Sequence, residues 1–176
     1  MARRFVAEGA KVILHGRDNE RAQKLRSDIG ETSTAFVQGD LGNAEELDRV
    51  ADEARSAFGQ IDALVNNAAL TTRARIEETD AAFFDRIISV NTRAPLLLSR
   101  ALLPELKRAK GCVLNIGSVL AHCGQANLLA YSVSKGGLMT MTRNLADAHG
   151  PDGVRFNQLN VGWTLTDNEY NVKISD

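Results

Sequence analysis

Two cysteines, Cys112 and Cys123, are all that this chain of 176 residues contains, and they form neither a disulfide framework nor a metal-site spacing. Cys112 lies in an apolar run, where a thiol behaves as a small hydrophobe. Charge of one sign is also lacking: 21 basic and 22 acidic side chains nearly cancel, leaving a net charge of −1. That balance gives no electrostatic footprint for nucleic acid or an anionic membrane. No apolar run is long enough to span a bilayer, and the two arginines of the opening MARRFVAEGAKV precede no signal-like apolar stretch. Internal repeats, low-complexity tracts and interdomain linkers are absent as well. The expectation is one globular domain over 1–176 in a reducing, cytoplasmic setting, with 44% hydrophobic and 24% charged residues.

What is present alternates. Short apolar runs, KVILH at 11–15, STAFVQGD at 33–40, IDALVNNAA at 61–69, GCVLNIGSV at 111–119 and GVRFNQLNV at 153–161, read as strands. Between them lie longer amphipathic stretches at 17–30, 43–59, 80–109 and 130–149 that read as helices. In the second, Asn43 is the N-cap, and Leu47, Val50, Ala54 and Phe58 share one face. Alternating strands and helices predict parallel βα units. The opening RRFVAEG reads as the tail of a helix ending at Gly9, and the polar TLTDNEYNVKISD trails off after the fifth strand.

Several residues stand where chemistry can be done. Tyr131 and Lys135, in YSVSKGG, are i and i+4 on a helix and share a face. An adjacent ammonium favours phenolate and brings a tyrosine within reach of acid–base work on a carbonyl or alcohol. The same spacing also fits an ordinary helix face. Ser118 ends an apolar strand, the position where ligands bind in open α/β sheets, although serine is equally a common turn residue. Asn66 and Asn67 end another strand and are followed by alanines that admit close approach of a flat ligand; a plain turn is the other reading. Asp40 and Leu41 end the second strand in the same manner. Asn91 interrupts an apolar helical pattern, either for function or for a local, helix-bending hydrogen bond.

The order and spacing of NNAA at 66–69, Asn91, Ser118, Tyr131 thirteen positions later and Lys135 resemble the short-chain dehydrogenase/reductase superfamily over nearly the whole chain. The resemblance implies a doubly wound, Rossmann-like α/β fold, a parallel sheet with helices on both faces. It implies an oxidoreductase moving hydride between a nicotinamide cofactor and a small carbonyl or alcohol substrate. By position, Tyr131 would be the general acid/base, Lys135 would lower its pKa and hold the nicotinamide ribose, and Ser118 would orient the substrate oxygen. Asn91 would position a relay water, Asn67 and Ala68 would line the cofactor, and Asp40 and Leu41 would lie near its adenine. Gly162, Thr164 and Thr166 would meet the nicotinamide end. The first strand ends in Gly16 and Arg17 where an acidic residue suits an unphosphorylated ribose. Arginine pairs with a 2′-phosphate, so NADP is expected ahead of NAD, with a solvated loop charge as the other reading of Arg17. Family members also pair through the long helices, which makes a homo-oligomer the expected partner.

Departures limit the resemblance. Val161 stands where proline usual to the family would be, and Ala69 where glycine would be. No glycine-rich turn precedes residue 9, so the first, central strand and the last strand are expected to lie outside 1–176. The strands at 11–15 and 61–66 would then face each other with unpaired edges, and 1–176 alone is expected to bind dinucleotide poorly. Two alternatives follow: a truncated member acting as a binding or assembly module, and, less well supported by NNAA, a nucleotide-sugar epimerase or dehydratase.

Overall fold

The computed structural model describes residues 1–164. It has five strands, β1 (Val12–Gly16), β2 (Thr34–Gln38), β3 (Ala63–Asn66), β4 (Cys112–Ser118) and β5 (Arg155–Val161). Helices α1 (Ala2–Ala7), α2 (Asn19–Ile29), α3 (Ala44–Phe58), α4 (Ala81–Ile88), α5 (Ala94–Ala109) and α6 (Leu129–His149) alternate with them. This is the Rossmann-like α/β architecture expected from the alternation of runs, with every pairing parallel. The α1 helix ends before Gly9, as its sequence suggests, and β1 follows.

Local sequence explains the elements. The Asn43 side chain accepts from the Glu45 N–H at 3.1 Å and starts α3, which buries Leu47, Val50 and Ala51 on one face. Along α5, Ala94, Leu98, Leu102 and Leu106 repeat every fourth residue and are buried in the same core. Each buried leucine of this kind contributes about 1.5–3 kcal/mol. The α3 and α5 helices pack together, and Arg55 of α3 reaches across to Glu105 Oε1 at 3.0 Å and to the Ala101 carbonyl at 2.9 Å. The core holds Val37 of β2 together with Val113 and Phe156 of β4 and β5, so one apolar cluster serves all the strands.

The strands nevertheless form two sheets, β1–β2 and β3–β4–β5. Alternation in a parallel ladder assigns the backbone groups. Val12 N–H bonds Ser33 O, and Gly16 O accepts from Gly39 N–H, so Val12, Leu14 and Gly16 face β2. Asp62 O accepts from Cys112 N–H, so Leu64 and Asn66 face β4. Ile13, His15, Ala63 and Val65 point the other way, and no described strand pairs with them. The expectation of unpaired edges on the strands at 11–15 and 61–66 therefore holds among the described residues.

The stretch at 80–109 is not one α-helix. It is α4 and α5 joined by a π-helical turn over Ser89–Arg93. Pro95 is four residues beyond Asn91 and has no N–H, so the Asn91 carbonyl cannot take the usual α-helical bond. The turn widens there and carries Asn91 to 1% exposure.

Amide hydrogen exchange checks the sheet edges. The N–H groups of Ile13, His15, Ala63 and Val65 are expected to exchange roughly tenfold or more faster than those of Leu14 and Leu64. Equal protection would mean that another segment pairs with both edges.

Candidate active site

The carboxyl ends of β3 and β4, the π turn and the start of α6 converge. Ser118 is the last residue of β4, buried, with its Oγ accepting the Leu120 N–H at 3.2 Å. That bond starts a 3₁₀ turn over Val119–Ala121 and leaves the hydroxyl proton for another partner. Tyr131 lies in the first turn of α6 and Lys135 one turn on, its Nζ 5.7 Å from the centre of the Tyr131 ring. Lys135 is 3% exposed and donates to the Ile116 carbonyl of β4 at 2.7 Å. Burial, which disfavours the charged ammonium, lowers its pKa to about 8.

Asn91 ties these parts together. Its Oδ1 accepts the Leu70 N–H at 2.8 Å, and its Nδ2 donates to Leu70 O at 2.9 Å and to Ser134 Oγ at 3.0 Å. Ser134 Oγ in turn donates to the Tyr131 carbonyl at 2.7 Å, and Thr92 Oγ1 donates to Ser134 O at 3.0 Å. The amide is thus engaged in holding the turn after β3 and the first turn of α6 in place. Its backbone carbonyl is the group that Pro95 deprives of its helical partner.

The two asparagines ending β3 divide. Asn66 is buried and donates to Asn115 Oδ1 at 2.8 Å, whereas Asn67 and Ala68 are exposed beyond the strand. At the carboxyl ends of β1 and β2, Arg17, Gln38, Gly39, Asp40, Glu46 and Arg49 line a cleft of about 420 Å³. Leu41 is half-buried against the core, so its backbone is what it offers there. Gly162 and Thr164 follow β5 and are exposed, and Thr166 lies outside the described residues.

Sequence reasoning missed Arg86, which bonds both oxygens of Asp40, at 3.2 and 2.9 Å, from α4. The Gly42 N–H at 2.8 Å and this guanidinium hold the Asp40 carboxyl below its usual pKa. A β-carbon at Gly42 would collide with the Arg86 guanidinium, so the glycine is what lets the arginine through. Arg93 adds a bond to Gly42 O at 2.7 Å. The signal in the sequence was two arginines seven apart, two turns of one helical face, opposite a loop carrying an acid. None of the described helices is long and apolar enough to cross a membrane.

The sequence model described as short chain dehydrogenase matches residues 1–175. The L-fucose dehydrogenase of Mus musculus is 32% identical over all of this chain, which spans 65% of that protein's length. A short-chain dehydrogenase from Streptomyces avermitilis superposes with a TM-score of 0.89 at 30% identity, over 94% of this chain and 62% of that one. The 3-ketoacyl-(acyl-carrier-protein) reductase from Brucella melitensis, solved with NADH, gives 0.85 at 32% identity over 92% of this chain and 69% of its own. The chain therefore spans about two thirds of the proteins it matches.

Lys135 makes stability depend on pH with a definite sign. Its folded pKa, about 8, lies below the unfolded value of 10.5, so between them the unfolded chain holds more protons. Stability is expected to rise as pH climbs from about 8 toward 10.5. Urea midpoints at pH 7 and 9.5 should show the rise in the wild type and lose that component in Lys135→Met.

Proposed function

The chain belongs to the short-chain dehydrogenase/reductase family, and on that premise we propose that it transfers hydride between a nicotinamide cofactor, NADP ahead of NAD, and a small carbonyl or alcohol substrate. The observation that carries the reading is the buried Lys135 ammonium beside the Tyr131 ring, on the helix that meets the end of β4 at Ser118. The nicotinamide, when bound, supplies or accepts the hydride. The residues of this chain do the rest.

Tyr131 gives its phenolic proton to the substrate oxygen in reduction and takes it back in oxidation. The Lys135 charge stabilises the phenolate, which its pKa near 8 permits at neutral pH. The Ser118 hydroxyl proton, free of the Leu120 contact, orients the substrate oxygen. The Asn91 carbonyl, without its helical bond, is the acceptor for a relay water leading from Lys135. At the adenosine end, Arg17 is the cation for a 2′-phosphate, with Asp40 and the Leu41 backbone beside the adenine. Asn67 and Ala68 line the middle, and Gly162, Thr164 and Thr166 the nicotinamide end. Leu96 of α5 and Val133 of α6, 42% and 47% exposed, provide apolar surface for a homo-oligomer.

The open edges of β1 and β3 favour a second reading, a catalytically silent binding or assembly module. NADPH titration followed by nicotinamide fluorescence, with turnover of simple ketones by NADPH and of L-fucose by NADP⁺, separates the two. Saturable binding and turnover support the enzyme; neither supports the module. For the enzyme, Tyr131→Phe should lower kcat by roughly 10²–10⁴ while leaving NADPH binding intact. Arg17→Ala should weaken NADPH by roughly tenfold to a hundredfold relative to NADH, read from the ratio of kcat/KM values. Equal loss for both cofactors would remove Arg17 from the 2′-phosphate.

A further inference from the structure

We propose that Arg86 of α4 is a specificity-determining residue for the adenosine end of the cofactor: by taking up the Asp40 carboxylate it leaves Arg17 open to a 2′-phosphate. This rests on the dehydrogenase reading above and deepens it, because it names what keeps the cleft receptive to the phosphorylated dinucleotide.

The cleft at the ends of β1 and β2 holds four charged side chains, Arg17, Asp40, Glu46 and Arg49, and three of them are answered. Arg49 donates to Glu46 Oε2 at 3.1 Å, to Glu53 Oε1 at 2.7 Å and to the Gln38 carbonyl at 2.9 Å. Glu46 also accepts the Asp40 N–H at 3.1 Å and the Asn43 side-chain amide at 3.3 Å. Asp40 is answered from outside the cleft lining, by Arg86, which reaches both carboxylate oxygens. Among the described residues the Arg17 side chain enters no hydrogen bond or ion pair, so its charge is the one left for a ligand.

Asp40 has a structural part: its Oδ1 accepts the Gly42 N–H at 2.8 Å and closes the turn between β2 and α3. A negative charge comes with that part, in the same cleft as Arg17, and the Arg17 charge is among those that favour its ionised form. Without Arg86 that carboxylate would draw Arg17 into an ion pair and repel a phosphate beside it. Both penalties fall on NADP and neither on NAD.

The place of Arg86 is built into the turn. As the ends of Gln158 and Asn160 fill the position of a β-carbon at Gly117, the Arg86 guanidinium fills it at Gly42. The turn also has anchors of its own. Arg93 donates to Gly42 O at 2.7 Å, and the Asn43 N–H bonds Asp40 O at 2.9 Å. Removing the Arg86 guanidinium therefore removes a charge and leaves the turn held.

Two measurements on the full chain test this. The first needs no cofactor: the Asp40 carboxyl is titrated by carbon NMR in the wild type, Arg17→Met, Arg86→Met and the double variant. Removing Arg17 should raise the Asp40 pKa more in the Arg86→Met background than in the wild type, because there Asp40 has turned to Arg17. An equal or smaller rise overturns the proposal. The second is the ratio of NADPH to NADH dissociation constants, read by nicotinamide fluorescence. Arg86→Met should move that ratio roughly fivefold toward NADH, as should Gly42→Ala, whose β-carbon displaces the guanidinium. Adding Asp40→Asn to Arg86→Met should restore most of the ratio. A clamp that only held the turn would weaken both dinucleotides alike and gain nothing from Asp40→Asn, and that result also overturns the proposal. If the wild type binds neither dinucleotide while the carboxyl titrations come out as expected, the dehydrogenase reading falls instead, and the specificity role of Arg86 falls with it.

Discussion

One side-chain amide, that of Asn91, sets the geometry on which the catalytic end depends. It closes a two-way bond with the Leu70 backbone and a third with Ser134, which ties the turn after β3 to the first turn of α6. A buried amide left without these partners would cost about 1–3 kcal/mol for each unmet group, so the three elements are held as one. Tyr131, Lys135 and Ser118 are presented by two of those elements or by the strand beside them. The amide does this from within the π turn, and Pro95 leaves the Asn91 carbonyl without an α-helical donor.

Lys135 illustrates a tension between folding and chemistry. An ammonium at 3% exposure, satisfied by a single carbonyl, destabilises the folded chain at neutral pH. Functional sites are where such a cost is tolerated. The opposite holds at the end of β2, where Asp40 is met by an arginine and a backbone N–H that favour its ionised form. One group is poised, the other is clamped.

Much of this was legible in the sequence, for physical reasons. Strand β4 declared itself as an almost continuous apolar run, because a parallel strand is covered on both faces. Helix α3 declared itself through Asn43 and the spacing of Leu47 and Val50. Asn91, Ser118, Tyr131 and Lys135 were named by a resemblance; in the structure Asn91 bonds Ser134 of α6, and Lys135 bonds the Ile116 carbonyl of β4. What stayed hidden was pairwise and long-range. Nothing local marks Arg86 as the partner of Asp40, 46 residues away, or Asn160 as the partner of His122. The π turn was hidden differently: apolar periodicity runs through 80–109 as one helix, and that pattern does not register the N–H missing at Pro95.

Gly117 carries a consequence for the order in which sequence can change. Gln158 and Asn160 occupy the volume that any other side chain at 117 would fill. Serine or alanine there would push the ends of both side chains aside, whereas a chain with Gly117 and a small residue at 158 would only be slightly underpacked. The larger pair therefore settles most easily on a chain that already has the glycine, and a return through position 117 requires both side-chain ends to turn away. The two sites are coupled by shape alone, through the absence of one carbon atom.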